Sequence, residues 1–208
     1  MAKVKSAVAP VTGARDVELQ GPVDLPVGQL IYTVRGIAPG LLMNSPAGMR
    51  RAEGTKVGGS KIPTAEEEAE LGTYRDADGV LQFPSSGFRK ATLTAAAGLK
   101  HKPGGRGREV KLSTTLAGVL FVVGDYVRLV EPDTGNPLTE YEIDSRRATP
   151  PGQGSVVRSR PLIRRWGATV VFEYLAEYLD AAAAEKYITE SFQRAGHIVG
   201  IGNYRPEP

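Results

Sequence analysis

The sequence contains no cysteine among its 208 residues. That excludes disulfides, thiolate-bound zinc, iron–sulfur clusters and a thiol nucleophile, and it suits a reducing compartment. Histidine is nearly as scarce: His101 and His197 stand far apart, with no His/Asp/Glu cluster near either. The longest apolar run, Ala117 to Val123, falls far short of the ~20 residues that span a bilayer. Met1 to Thr12 lacks the apolar core of a signal peptide. A cytosolic protein is expected, with no membrane partner.

Phosphate-loop and dinucleotide motifs are missing too. Gly104-Gly105-Arg106-Gly107 has neither the spacing nor the strand–helix context of a nucleotide fingerprint. Ser85-Ser86 has no base nearby and reads as a helix cap. Glu66, Glu67, Glu68 and Glu70 read as a solvated first helical turn rather than a metal cluster. No catalysis, no cofactor and no metal are expected.

What the chain does have is turn-forming residues and unevenly placed charge. Gly 25 and Pro 15 predict many turns and long loops. The net charge of +3 conceals an asymmetry. Arg89 to Arg165 holds 14 Lys/Arg against 7 Asp/Glu, a net of +7, while the remainder carries −4. A basic middle segment points to a polyanionic partner such as nucleic acid.

Patterning predicts an α+β domain over 29–208, preceded by an extended arm over 1–28. Strands are expected at Leu30–Ile37, Val80–Phe83, Leu116–Val123, Tyr126–Val130, Tyr141–Asp144 and Thr169–Tyr174. A short helix should start at Thr64 and end at Gly72. A second, capped by Ser85 or Ser86, should run to Gly98. A third, capped by Asp180, should bury Ala184, Tyr187, Ile188 and Phe192 and end at Gly196. Loop insertions are expected at about 44–75, 98–114 and 146–161.

Within them the stretches 48–61, 100–111 and 146–160 are basic and glycine-bearing, so their cations can follow a phosphate backbone. Candidate nucleic-acid contacts are Arg50, Arg51 and Lys56 in the first loop, then Arg89 and Lys90 on the second helix. Lys100, Lys102, Arg106, Arg108 and Lys111 follow in the second loop. Arg146, Arg147, Arg158 and Arg160 flank the third, and Arg164 and Arg165 come after it. Aromatics are 7% of the chain, so recognition should be chiefly electrostatic. Trp166, the single tryptophan, fits base stacking or core packing; Phe172 fits the core.

The element order resembles the RAMP superfamily, above all the backbone subunits of CRISPR effector complexes. Three segments carry the resemblance: Gly36-Ile37-Ala38-Pro39-Gly40-Leu41-Leu42, Leu81-Gln82-Phe83-Pro84-Ser85-Ser86-Gly87-Phe88-Arg89-Lys90-Ala91, and Gly196-His197-Ile198-Val199-Gly200-Ile201-Gly202. The chain is also similar to bacteriophage-encoded proteins sharing the Leu-Leu-Met opening and the Glu140–Arg147 segment. The resemblance implies a modified RNA-recognition-motif (RRM-like, ferredoxin-like) core of antiparallel sheet with two packed helices. It further implies a single-stranded nucleic-acid partner and a homo-oligomer assembled along the strand. A stand-alone phage member in the host cytoplasm, binding DNA in preference to RNA, is the expectation, with replication or recombination as its setting. The rival is a self-assembling virion component, since extended arms and glycine-rich loops suit capsid, decoration or tail proteins equally.

Overall fold

The computed structural model describes residues 25–37, 39–47, 63–102, 108–148 and 156–202. The chain is mixed α/β, with several small antiparallel sheets. β1 (Val27–Arg35) pairs antiparallel with β10 (Gly167–Leu175), in register from Val27 opposite Leu175 to Arg35 opposite Gly167. β6 (Leu120–Val122) lies on the other side of β10, also antiparallel, giving the order β1-β10-β6. β1 and β6 therefore run parallel, with β10 inserted between them.

Two helices cover one face of this sheet: α2 (Ser85–Ala96) and α4 (Ala181–Ile198). Alternation along the strands decides which face. Leu30, Tyr32 and Val34 point to the helices with Val170, Phe172 and Tyr174. Phe88 of α2 and Phe192 of α4 close the layer. The Phe192 ring meets Tyr32 at 5.3 Å, Phe172 at 5.0 Å and Phe88 at 6.5 Å, edge-on throughout. Asp180 caps α4 as expected, accepting from the Ala183 amide at 2.9 Å. Ala184, Ile188, Ser191 and Ala195 then form its buried stripe.

A second sheet has the order β2-β9-β8, from β2 (Leu41–Leu42), β8 (Glu142–Ala148) and β9 (Val156–Ile163). Against it packs α1 (Ala65–Leu71). Its expected cap is present: Thr64 Oγ1 accepts from the Glu67 amide, and Glu67 returns the bond to Thr64. Glu68 ties helix to sheet, accepting from Arg158 Nη1 at 3.0 Å and from the Ser159 amide at 2.9 Å. Two ribbons complete the fold: β3 (Gln82–Pro84) with β7 (Tyr126–Arg128), and β4 (Lys100–His101) with β5 (Val110–Lys111).

Several expectations are corrected. Leu116–Val123 is not one strand: α3 (Leu112–Val119) occupies its first half and β6 its second. Leu112, Leu116 and Val119 are buried at helical spacing, a pattern the surrounding apolar residues hide. Ser85 is no cap; it sits in the first turn of α2 and donates to the Gly124 and Asp125 carbonyls. Gly196 does not end α4, which runs on to Ile198 before Gly200 turns at φ +69°. The insertion at about 98–114 contains the β4–β5 ribbon and the start of α3. That at about 146–161 consists largely of the paired arms of the β8–β9 hairpin, and that at about 44–75 contains α1. Val27 and Gly28, assigned to the arm, belong to β1; residues 1–24 of the arm lie outside the described residues. Among the described residues no helix is long and apolar enough to cross a membrane.

Candidate nucleic-acid interface

The β4–β5 ribbon carries the densest free charge. Register places Lys100 directly opposite Lys111, both exposed, and Lys102 and Arg108 follow toward the tip. None of the four has an ion-pair partner among the described residues. Like charges facing each other across a ribbon repel; Glu109, exposed two residues before Lys111, forms no ion pair with them. Between the two lysines, His101 points inward and fastens the ribbon. Its Nε2 lies 2.7 Å from Thr115 Oγ1 of α3, and its ring meets Tyr187 of α4 at 5.2 Å. The cations thus stand on a buried histidine anchor rather than on a free loop.

α2 separates its two adjacent cations. Arg89 turns toward the protein: Nε donates to the Leu120 carbonyl at 2.7 Å and Nη2 to that of Ala117 at 2.7 Å, satisfying the C-terminal end of α3. Its guanidinium also lies 5.9 Å from the Phe121 ring centre. Lys90 is exposed and without an ion-pair partner among the described residues.

The remaining arginines are mostly engaged. Arg146 pairs with Asp144 at 2.7 Å, Arg158 with Glu68, Arg164 with Glu142 at 2.7 Å, and Arg165 with Asp133. Arg160 stands opposite Asp144 in the hairpin register, and Arg147 is exposed on the same arm as Arg146. Arg50, Arg51, Lys56 and Arg106 lie outside the described residues. The predicted cations that are described therefore sort into a set with no ion-pair partner among the described residues (Lys90, Lys100, Lys102, Arg108, Lys111, Arg147, Arg160) and a set tied to carboxylates or backbone.

Trp166 is buried at 7% exposure, packed on Phe88 at 6.5 Å. Of its two readings, packing is the one its surroundings match. Tyr126 and Tyr178 are exposed, and so is a ring the sequence did not single out. Phe121, on β6, faces away from the helices and is 45% exposed. It shares with Ile31, Val171 and Val123, and with Glu173 directly opposite it, the face of the β1-β10-β6 sheet that the described helices leave uncovered. Its alternation with Leu120 and Val122 was invisible because all three are apolar.

A cleft of about 540 Å³ opens between β1 and the C-terminal half of α4, lined by Tyr32, Val34, Trp166 and Phe192, with Arg35 and His197 also in its wall. Tyr32 Oη lies 2.8 Å from Thr189 Oγ1 across it, and burial pushes the phenol's pKa up. Among the described residues no group of three or more His, Asp or Glu is placed to hold a metal ion. No protein-family model matches the chain, and no curated protein matches it.

Proposed function

We propose that this protein is a non-catalytic binder of single-stranded nucleic acid, DNA in preference to RNA, on an RRM-like core of RAMP type. The sheet order supports the core: β10 lies between parallel β1 and β6, and both helices pack on one face, as in the first three strands of a ferredoxin-like fold. Among the described residues the other face is open, with Phe121 available for stacking on an unpaired base.

The observation that carries the reading is Lys100 opposite Lys111. Two ammonium groups held face to face on an anchored ribbon, with Lys102 and Arg108 beyond them, form a site whose repulsion a phosphate backbone relieves. Engaged arginines elsewhere leave this ribbon as the strongest described electrostatic feature.

The test is fluorescence anisotropy of nuclease-treated protein against labelled single-stranded DNA, single-stranded RNA and duplex at two salt concentrations. Salt-sensitive preference for a single strand is expected. Replacing Lys100 and Lys111 together with alanine should lower the salt slope by about 1.4, two contacts at ~0.7 each on a single strand. Absence of binding at low salt would sink the reading and leave the virion-component alternative, to be pursued by electron microscopy of nuclease-resistant assemblies.

A further inference from the structure

One edge of the β1-β10-β6 sheet has no strand partner among the described residues. The Gly36 amide donates to the Trp166 carbonyl at 2.7 Å, and the Ala176 amide to that of Pro26 at 2.8 Å. With the β1–β10 register, these bonds direct the backbone groups of even-numbered β1 residues toward β10. The N–H and C=O groups of Val27, Gln29, Ile31, Thr33 and Arg35 consequently point to the opposite edge. No described strand pairs there. Gly202, the last of the described residues, packs against Leu41 and the Leu42 carbonyl.

Exposed edges are normally blunted by lysine, proline or a bulge. Val27–Arg35 contains no lysine or proline and pairs with β10 without a bulge; its one charge sits at the end. At its centre Ile31 is 67% exposed, and Val27 is 52% exposed. Such an edge is a template for another strand.

We infer that two copies of this chain join through the free edges of β1, antiparallel and centred on Ile31, into one continuous six-stranded sheet. Only residues whose backbone groups point outward can form the hydrogen-bonded pairs, and they are all odd-numbered. About a two-fold axis at Ile31 they match: Ile31 meets the partner's Ile31, Gln29 meets the partner's Thr33, and Val27 meets the partner's Arg35. Apolar faces apolar at the axis, polar faces polar beside it, and no like charges are opposed. The interface is isologous, so it closes at the dimer. The apolar row Ile31–Val171 then continues across the axis on the open face. The pairing does not depend on any ligand, so its test contains none.

The chain's lack of cysteine makes the register directly testable. Hydrogen-bonded antiparallel partners have Cα atoms ~5.5 Å apart, within disulfide reach. Two Val27 residues would stand roughly 26 Å apart across the axis, eight residues at ~3.3 Å each. In the full-length, nuclease-treated protein, Ile31→Cys should form a covalent dimer under mild oxidant. Val27→Cys and Arg35→Cys should not do so alone, but an equimolar mixture of the two should. Light scattering should give twice the 22.2 kDa chain mass for the parent. It should give the single-chain mass for Ile31→Lys, with circular dichroism confirming a folded variant. A monomeric parent at ~100 μM, equal cross-linking of all three single-cysteine variants, or a dimer that survives Ile31→Lys would each overturn the proposal.

Discussion

The Trp166 indole lies across Gly36 so closely that a β-carbon on the glycine would stand 2.0 Å from Nε1. The Gly36 amide donates to the Trp166 carbonyl beneath it, so strand end and ring are fixed together. Gly36→Ala must displace either the indole or β1, and a loss of about 1–3 kcal/mol is expected. Gly118, on α3, offers the contrast: a β-carbon there meets nothing within 4 Å. Gly118→Ala should gain up to ~1 kcal/mol from helix propensity. Urea midpoints moving the same way in both variants would refute the account.

Ser191 is completely buried on α4, and its hydroxyl has no hydrogen-bond partner among the described residues. A desolvated hydroxyl without a partner costs stability, and alanine is the better helix former. Ser191→Ala should raise stability by roughly 1 kcal/mol, read as a higher thermal midpoint. A lower midpoint would mean the hydroxyl is satisfied.

Glu70, Arg75 and Tyr141 form a small network at the surface of α1. Arg75 Nε donates to Glu70 Oε1 at 2.9 Å and Tyr141 Oη to Oε2 at 2.8 Å. The Arg75 hydrogen bond, seconded by Tyr141, holds the Glu70 carboxyl below its ordinary range. Burial, then the bond to Glu70, pushes the Tyr141 phenol up to about 12. The carboxylate's contribution is present above its ordinary pKa of 4.5 and is lost as pH falls through its lowered folded value. The phenol's contribution is present below its ordinary 10.0 and is lost as pH rises toward 12. Stability measured by urea should therefore decline between pH 10 and 12 less steeply in Tyr141→Phe than in the parent. Parallel declines would show that the phenol does not titrate late.

Phe121 and Trp166 should separate binding from packing. Phe121→Ala, on the open face, is expected to leave stability within about 1 kcal/mol while weakening single-strand binding by ~1–3 kcal/mol. Trp166→Ala removes a core ring and should cost ~3–5 kcal/mol of stability, with no preference between single strand and duplex. A selective single-strand defect in Trp166→Ala would return the stacking role to the indole.

Elements that announce themselves locally were legible in the sequence. The Thr64–Glu67 box, the Asp180 cap and the apolar run at Thr169–Tyr174 each need only a few neighbouring residues. Features created by distant partners were not. Arg158 reads as a free cation until Glu68, 90 positions earlier, is found beside it. The arms of the β8–β9 hairpin look like a loop because their pairing is carried by the backbone, between strands rich in arginine. The candidate site was half visible: the ribbon's lysines and arginines were identified, but not that Lys100 and Lys111 oppose each other, nor that Phe121 faces outward.

The β1–β10 pairing also sets a timetable for synthesis. Arg35 waits for Gly167, roughly 130 residues later, before its strand has any neighbour. At ~5–20 residues per second that is on the order of ten seconds on the ribosome. Throughout that interval Leu30, Ile31, Tyr32 and Val34 have no described strand to pair with. Slow, late closure of this kind lowers folding rates and exposes nascent chains to one another. Yield in recombinant expression should accordingly depend on temperature and chaperone supply more than the finished fold's stability would indicate.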